Sequence, residues 1–244
     1  MATEDLQGTA DAEFAASELG VTKCVVLDDA SSYGLVVAQA FENAAKAAGI
    51  TIVATSQWGK AGDFITLFEG FKSLNPDCFF FGGGGDIKGE QLIHDKVAVF
   101  GSNTSAVKLF TPDGFAGYPE IQSLAEAEGM YISYMGLPLS ELVKPGSATA
   151  KFVDAFKTKY GHDPAAAAIY GAAAMQFILK AIEASDGTRK DILRAAFSGI
   201  TVSEGESLLG RELSIDENGD VTVGDVSIEL LTGGVETFFK AWPV

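Results

Sequence analysis

Carboxylates close two of the apolar runs in this chain, and one of them is followed by a tyrosine. Lys23-Cys24-Val25-Val26-Leu27 ends in Asp28-Asp29 and leads into Ala30-Ser31-Ser32-Tyr33-Gly34; Val107-Lys108-Leu109-Phe110 ends in Thr111-Pro112-Asp113-Gly114. A carboxylate so placed can compensate a ligand's positive charge through a charge-assisted hydrogen bond. A tyrosine can cover apolar surface with its ring while offering one hydroxyl. Pro-Asp-Gly is also ordinary turn chemistry, so Asp113 has a purely local reading too. The run Gly82–Gly85, directly after Asp77-Cys78-Phe79-Phe80-Phe81, suggests phosphate cradling. It lacks the Lys-Ser/Thr of a P-loop and the onward spacing of a dinucleotide fingerprint. A loop whose backbone passes close to a ligand or to another loop accounts for it better.

Other chemistry is thinly supplied. His94, on a helical stretch beside Asp95, and His162, in a loop, offer no spacing for a metal site or a Ser-His-Asp triad, and both read as surface residues. No catalytic residue, metal ligand or cofactor is therefore assigned, and the chain is not read as an enzyme. Cys24 and Cys78 sit inside apolar strand-like runs and read as small core residues, not as a disulfide, which leaves the redox compartment open. With 17 basic against 33 acidic residues, the net charge of −16 repels phosphate backbones and anionic membranes, so nucleic acid is excluded as a partner. At 47% hydrophobic and 20% charged, the 244 residues suit one large α/β domain or two small lobes. No stretch reaches the roughly 18 apolar residues of a spanning helix. Met1 precedes Ala-Thr-Glu-Asp, with neither a basic nor an apolar leader region, so no signal peptide is expected; the chain is either cytoplasmic or lacks its leader.

The elements that must position these residues alternate. Asp5 can cap a helix over about 6–19, and helices are expected over 33–48, from Asp63 through Phe71, and over 88–100. Between them lie strands at 23–28, 50–54, 77–81 and 107–110, then a short helix at 119–128 and a strand at 130–135. That alternation means βαβ units and a parallel sheet, and ligands bind at the carboxyl ends of such strands. Residues 137–146 read as a crossing, followed by helices over 147–160, 164–184 and 191–198. The second of these, from Ala165 to Ala184, is small and apolar nearly all round, the pattern of a helix buried on several sides. Asn218-Gly219 signals a hairpin between Leu213–Ile215 and Val221–Val223, and Gly233-Gly234 turns a last pair, 226–231 with 235–239.

In this order the residues resemble extracytoplasmic substrate-binding proteins of the branched-chain amino acid type, which serve ABC importers. The likeness is carried by Thr3-Glu4-Asp5-Leu6-Gln7-Gly8, by Leu27 through Gly34, and by Leu74-Asn75-Pro76-Asp77 with the phenylalanine strand. Phe110 through Gly114, Lys159-Tyr160-Gly161 and Asp216-Glu217-Asn218-Gly219 complete it. The resemblance implies a type I periplasmic binding protein: an α/β, flavodoxin-like parallel-sheet lobe with additional helices and a C-terminal antiparallel hairpin region, lacking the opening part of the first lobe. It divides the chain into a second-lobe domain (1–132), a first-lobe remnant (133–222) and terminal strands returning to the second lobe (223–244).

By the same resemblance, Tyr33 and Asp113 contact a small amino acid-like ligand held in an inter-lobe cleft, with Asp113 meeting its ammonium. Ser32 and Gly84 join them; Gly84 and Ala167 stand where relatives often carry aromatics. Phe100 through Ser105 resembles the first lobe's carboxylate-gripping loop, which would bring Ser102 and Thr104 to the ligand. A lengthened helix–strand connection is the other reading of that segment and the preferred one. The implied location is periplasmic, and the implied partner is the membrane permease of an ABC importer. Without a first-lobe sheet to cover it, the Ala165–Ala184 region is expected to mediate self-association. The competing readings are a flavodoxin-like enzyme or nucleotide binder, and an assembly module without transport.

Overall fold

The computed structural model describes residues 1–222 and 224–243, and its chain forms two compact units. The larger comprises Thr3–Met135 and Asp225–Val244, the smaller Met1–Ala2 and Gly136–Gly224. In the larger unit, β1 (Lys23–Asp28), β2 (Thr51–Gln57), β3 (Cys78–Gly82), β4 (Lys108–Thr111) and β5 (Tyr131–Tyr134) run parallel. β6 (Asp225–Thr232) and β7 (Val235–Pro243) extend the sheet antiparallel, giving the order β2-β1-β3-β4-β5-β6-β7. The strand order therefore reverses beside β1, the kind of place where α/β sheets open a crevice.

Strand β3 shows why the sheet is covered on both faces. All of Cys78–Gly82 is buried, and successive side chains point to opposite sides. Helices α1 (Glu4–Ser17) and α2 (Ser32–Ala47) lie on the Phe80 side, where Phe41 stacks on Phe80 at 4.2 Å and Phe14 meets Tyr131 edge-on at 5.5 Å. Helices α3 (Phe64–Glu69) and α4 (Gly89–Phe100) lie on the other, with Phe68 and Phe100 against Phe79 at 5.4 and 4.8 Å. The short helix α5 (Pro119–Gln122) adds Ile121 to that second cluster.

Local capping follows the sequence at the starts of α2 and α3. The Ser31 hydroxyl accepts from Gly34 N at 2.9 Å, and the Asp63 carboxylate accepts from Ile65 N at 3.0 Å. Asp5 is a correction. Helix α1 begins at Glu4 with Thr3 as its cap, so Asp5 lies within the first turn, where its charge complements the helix dipole.

The two cysteines are a second correction. Cys24 and Cys78 face each other in the β1–β3 register, with Cα atoms 4.4 Å apart, and are joined by a disulfide. The reading as separate core thiols missed this because their separation of 54 residues carries no information on register. The strand order places β3 beside β1, and the matched pleat turns both side chains to one face.

In the smaller unit, α6 (Leu139–Leu142), α7 (Ala148–Tyr160), α8 (Ala166–Glu183) and α9 (Arg189–Ala196) share a core built on Leu142, Ile169, Tyr170, Phe177 and Val202. Helix α8 departs from the expectation of burial on several sides. Ile169, Ala173, Phe177 and Ala181 are buried along one stripe, whereas Met175, Ile178, Leu179 and Ile182 are 40–52% exposed. The helix meets its own unit on one face only. The expected hairpin at Asn218-Gly219 is also reduced. Its turn closes, with Asp216 Oδ1 accepting from Asn218 N and Asp220 N at 2.8 and 3.0 Å. Its strands make the single bridge Ile215–Val221, and Val223 lies outside the described residues. The pair β6–β7 forms in full, its turn residues Gly233 and Gly234 at φ 60° and 78°, where glycine alone is unstrained.

Candidate functional site

The site residues gather at the carboxyl end of the parallel sheet in the larger unit. The β1–α2 loop is braced by its own acids. Asp28 Oδ1 accepts from Ala30 N and Gln57 Nε2 at 2.8 and 2.9 Å, while Asp29, 6% exposed, accepts from Ser31 N at 2.8 Å and from Gly84 N at 3.0 Å. These carboxylates are occupied in shaping the loop. Their bracing delivers Tyr33, in the first turn of α2, to Asp113, which follows β4.

The Tyr33 hydroxyl donates to Asp113 Oδ1 at 2.7 Å. Gln7 Nε2, from α1, donates to the same oxygen at 3.2 Å and to the Ser133 carbonyl at 3.0 Å. Among the described residues Oδ2 of the half-buried Asp113 accepts no such bond, so one oxygen of the anion is free for an incoming cation. Burial, together with the charge of Asp113, pushes the Tyr33 phenol well above its ordinary range, so it remains a donor at physiological pH. Behind this pair, Asp11 is fully buried and accepts from the Ser133 hydroxyl at 2.8 Å.

The glycine run is explained by the loop it touches. Gly85 N donates to the Gly114 carbonyl at 2.8 Å, and a Cβ on Gly114 would stand 2.2 Å from the Gly83 carbonyl oxygen. The Gly82–Gly85 and Pro112-Asp113-Gly114 turns thus pack backbone to backbone, which only residues without side chains permit. The structure therefore brings together Tyr33, Asp113 and Gly84, with Ser32 exposed beside Tyr33.

Ser102 and Thr104 fall elsewhere. They lie before Lys108, at the amino end of the strand whose carboxyl end carries Asp113, and their hydroxyls bond each other at 2.8 Å. The segment is a helix–strand connection packed around the buried Lys96. Its Nζ donates to Asn103 Oδ1 at 2.7 Å and to the Val107 carbonyl at 2.9 Å, while Asn103 Nδ2 donates to the Glu126 carbonyl at 2.8 Å. Burial, with Lys108 nearby, pushes Lys96 down to about 7. Among the described residues no group of three or more His, Cys, Asp or Glu is placed to hold a metal ion.

Gln7 and Asp11 were not singled out from sequence. The signal was present: Gln7, Asp11 and Phe14 stand at i, i+4 and i+7, so two polar residues share the face that Phe14 buries. Hydrophobic periodicity alone does not show that they point at Asp113.

Comparison with known proteins places this geometry in context. Residues 1–226 match the sequence profile described as Periplasmic binding protein. The leucine-binding protein LivK of Thermotoga maritima superposes with a TM-score of 0.77 at 24% identity, over 98% of this chain and 65% of its own. An ABC transporter substrate-binding protein from Desulfitobacterium hafniense, in complex with Leu, gives 0.73 at 24% identity, over 96% and 65%. A solute-binding protein from R. palustris in complex with benzoate gives 0.71 at 18% identity, over 99% and 64%. At these identities the likeness is one of fold, and the chain spans about 65% of the length of these structures. Comparison with curated proteins gives no match. The larger unit has the α/β lobe fold of these binding proteins, with its parallel sheet and terminal antiparallel pair. The chain belongs to the periplasmic binding protein family.

Proposed function

We propose that this chain is an extracytoplasmic solute-binding protein of an ABC importer, and that its larger unit takes a small ligand carrying an ammonium group. The observation that carries this reading is the Tyr33–Asp113 pair, a half-buried carboxylate with one oxygen engaged and one free. A negative site of this kind favours a zwitterionic amino acid over a benzoate, whose charge it would repel. Tyr33 supplies ring surface to the ligand's apolar part, and Ser32 and Gly84 border the same surface. The Cys24–Cys78 disulfide supports an oxidising, extracytoplasmic location. The permease of such an importer is the proposed macromolecular partner.

The test is a thermal-shift and calorimetry panel of leucine, other neutral amino acids, benzoate and nucleotides. Leucine or a close relative is expected to bind one-to-one and to stabilise by about 2.7 kcal/mol at a hundredfold excess over Kd. A response confined to benzoate or to nucleotides would overturn the assignment.

The exposed stripe Met175, Ile178, Leu179 and Ile182 on α8 supports a further part of this reading, self-association through the Ala165–Ala184 region. Sedimentation equilibrium is expected to show a dimer that Ile178→Lys/Leu179→Glu dissociates. A native chain sedimenting strictly as a monomer would rule this out.

A further inference from the structure

Among the described residues of the larger unit, three polar atoms are buried with no hydrogen-bond partner: Ser227 Oγ on β6, and Gln7 Oε1 and Asp11 Oδ1, which share α1. The α1 pair belongs to side chains one turn apart, 0% and 1% exposed. The orientation of the Gln7 amide is not arbitrary. Its Nε2 meets two acceptors, Asp113 Oδ1 and the Ser133 carbonyl, and a flipped amide would set oxygen against both. Gln7 Oε1 is thus an acceptor in need of a donor. Asp11 Oδ2 is already engaged as the acceptor of the Ser133 hydroxyl, leaving Oδ1 idle. An unpaired buried acceptor is costly, and two on adjacent turns are more so. Positions i and i+4 share one face of a helix, so a proton on Asp11 Oδ1 would offer Gln7 Oε1 the donor it lacks.

We infer that Asp11 is held as a neutral acid that donates to the Gln7 amide, and that Asp11 and Gln7 together are the positioning unit that fixes Asp113 Oδ1 and leaves Oδ2 to the ligand's cation. The positioning half rests on the proposed function of Asp113; the protonation half does not. Burial and the neighbouring Asp113 both push the Asp11 carboxyl well above the usual carboxylate range. Among the described residues, the titratable groups that interact with Asp11 are Asp113 from the end of β4 and Tyr33 from α2. Lys46 on α2 is paired with Glu42 and Lys240 on β7 with Glu18, so neither cation on the elements packed against α1 offsets an ionised Asp11. Asp113, half-buried, accepts from two donors, Tyr33 and Gln7.

The sign of the pH dependence follows. A carboxyl whose folded pKa is raised contributes full stability below its unfolded pKa and loses it as pH rises toward the folded value. Asp11→Asn, which keeps a donor for Gln7 and an acceptor for Ser133 without the titration, is expected to match the native melting temperature near pH 4. It is expected to exceed it at pH 8. The infrared difference spectrum, native minus Asp11→Asn at pH 7, is expected to contain the C=O stretch of a protonated carboxylic acid. In the native chain alone, 13C-aspartate spectra at pH 7 are expected to show one carboxyl carbon at the neutral-acid position, which keeps the test independent of the variant's folding. If every aspartate carbon is ionised at pH 7, or if Asp11→Asn is less stable than native at pH 8, Asp11 is not a neutral donor. For the positioning role, calorimetry with leucine is expected to show Gln7→Leu and Asp11→Ala weakened roughly tenfold, with Asp11→Asn restoring affinity relative to Asp11→Ala. Equal weakening by Asp11→Asn and Asp11→Ala would overturn that role. A native chain that ignores leucine would instead refute the proposed function, with the carbon spectra still deciding the state of Asp11.

Discussion

Asp113→Ala is expected to weaken leucine binding by roughly 30-fold or more, the equivalent of truncating one partner of a desolvated charge pair. The ammonium would lose its counter-charge, and nothing nearby replaces it: Asp28 and Asp29 are held by loop hydrogen bonds, and Asp11 lies behind the site. Without ligand the variant also leaves the Tyr33 hydroxyl and the buried Gln7 amide short of an acceptor, so a moderate loss of melting temperature accompanies it. Calorimetry separates the two effects by using the α-keto acid of leucine, which keeps the apolar side chain and lacks the ammonium. The native chain is expected to prefer leucine over that analogue, and Asp113→Ala to lose most of the preference. A variant that discriminates as well as the native chain would place the ammonium elsewhere.

The second large effect is on stability. Reducing the Cys24–Cys78 disulfide, or replacing both residues by alanine, releases a loop of 54 residues within the larger unit. The chain-entropy account puts the loss near ~4 kcal/mol. For a domain of this size that corresponds to a fall of about 8–16 °C in melting temperature. Calorimetric scans with and without dithiothreitol measure it, and the double alanine variant should melt at the lower temperature in both buffers. Two reactive thiols in the unreduced native chain, with no shift on adding reductant, would show that the bridge does not form in solution.

These two expectations differ in how far they could be seen ahead of the structure. Asp113 and Tyr33 were legible because each sits where an apolar strand pattern breaks into a turn or a helix cap, and such breaks mark the carboxyl ends of parallel strands. The alternation of strand and helix likewise carried the α/β class, since Phe79–Phe81 and the stripe Phe64, Leu67, Phe68, Phe71 have periods that few other structures satisfy. The reading of Ser102 and Thr104 as ligand contacts had no such local support. It depended on the segment's resemblance to a carboxylate-gripping loop of the family, and the same residues serve equally well to close a loop around Lys96.

What the sequence determined by itself was the set of elements, their order, and the acidic character of the strand ends, because these depend on residues close along the chain. Only the tertiary structure decided which of those residues meet. The β1–β3 register joins Cys24 to Cys78 across 54 residues, and Tyr33 reaches Asp113 across 80. Gln7 reaches Asp113 across 106 and Ser133 across 126. Contacts of that separation depend on how helices cross the sheet and on strand register, and neither leaves a periodic trace in the residues themselves. The one-sided burial of α8 has the same origin: its composition states that the helix can be buried all round, and its neighbours in the fold decide that it is buried on one face.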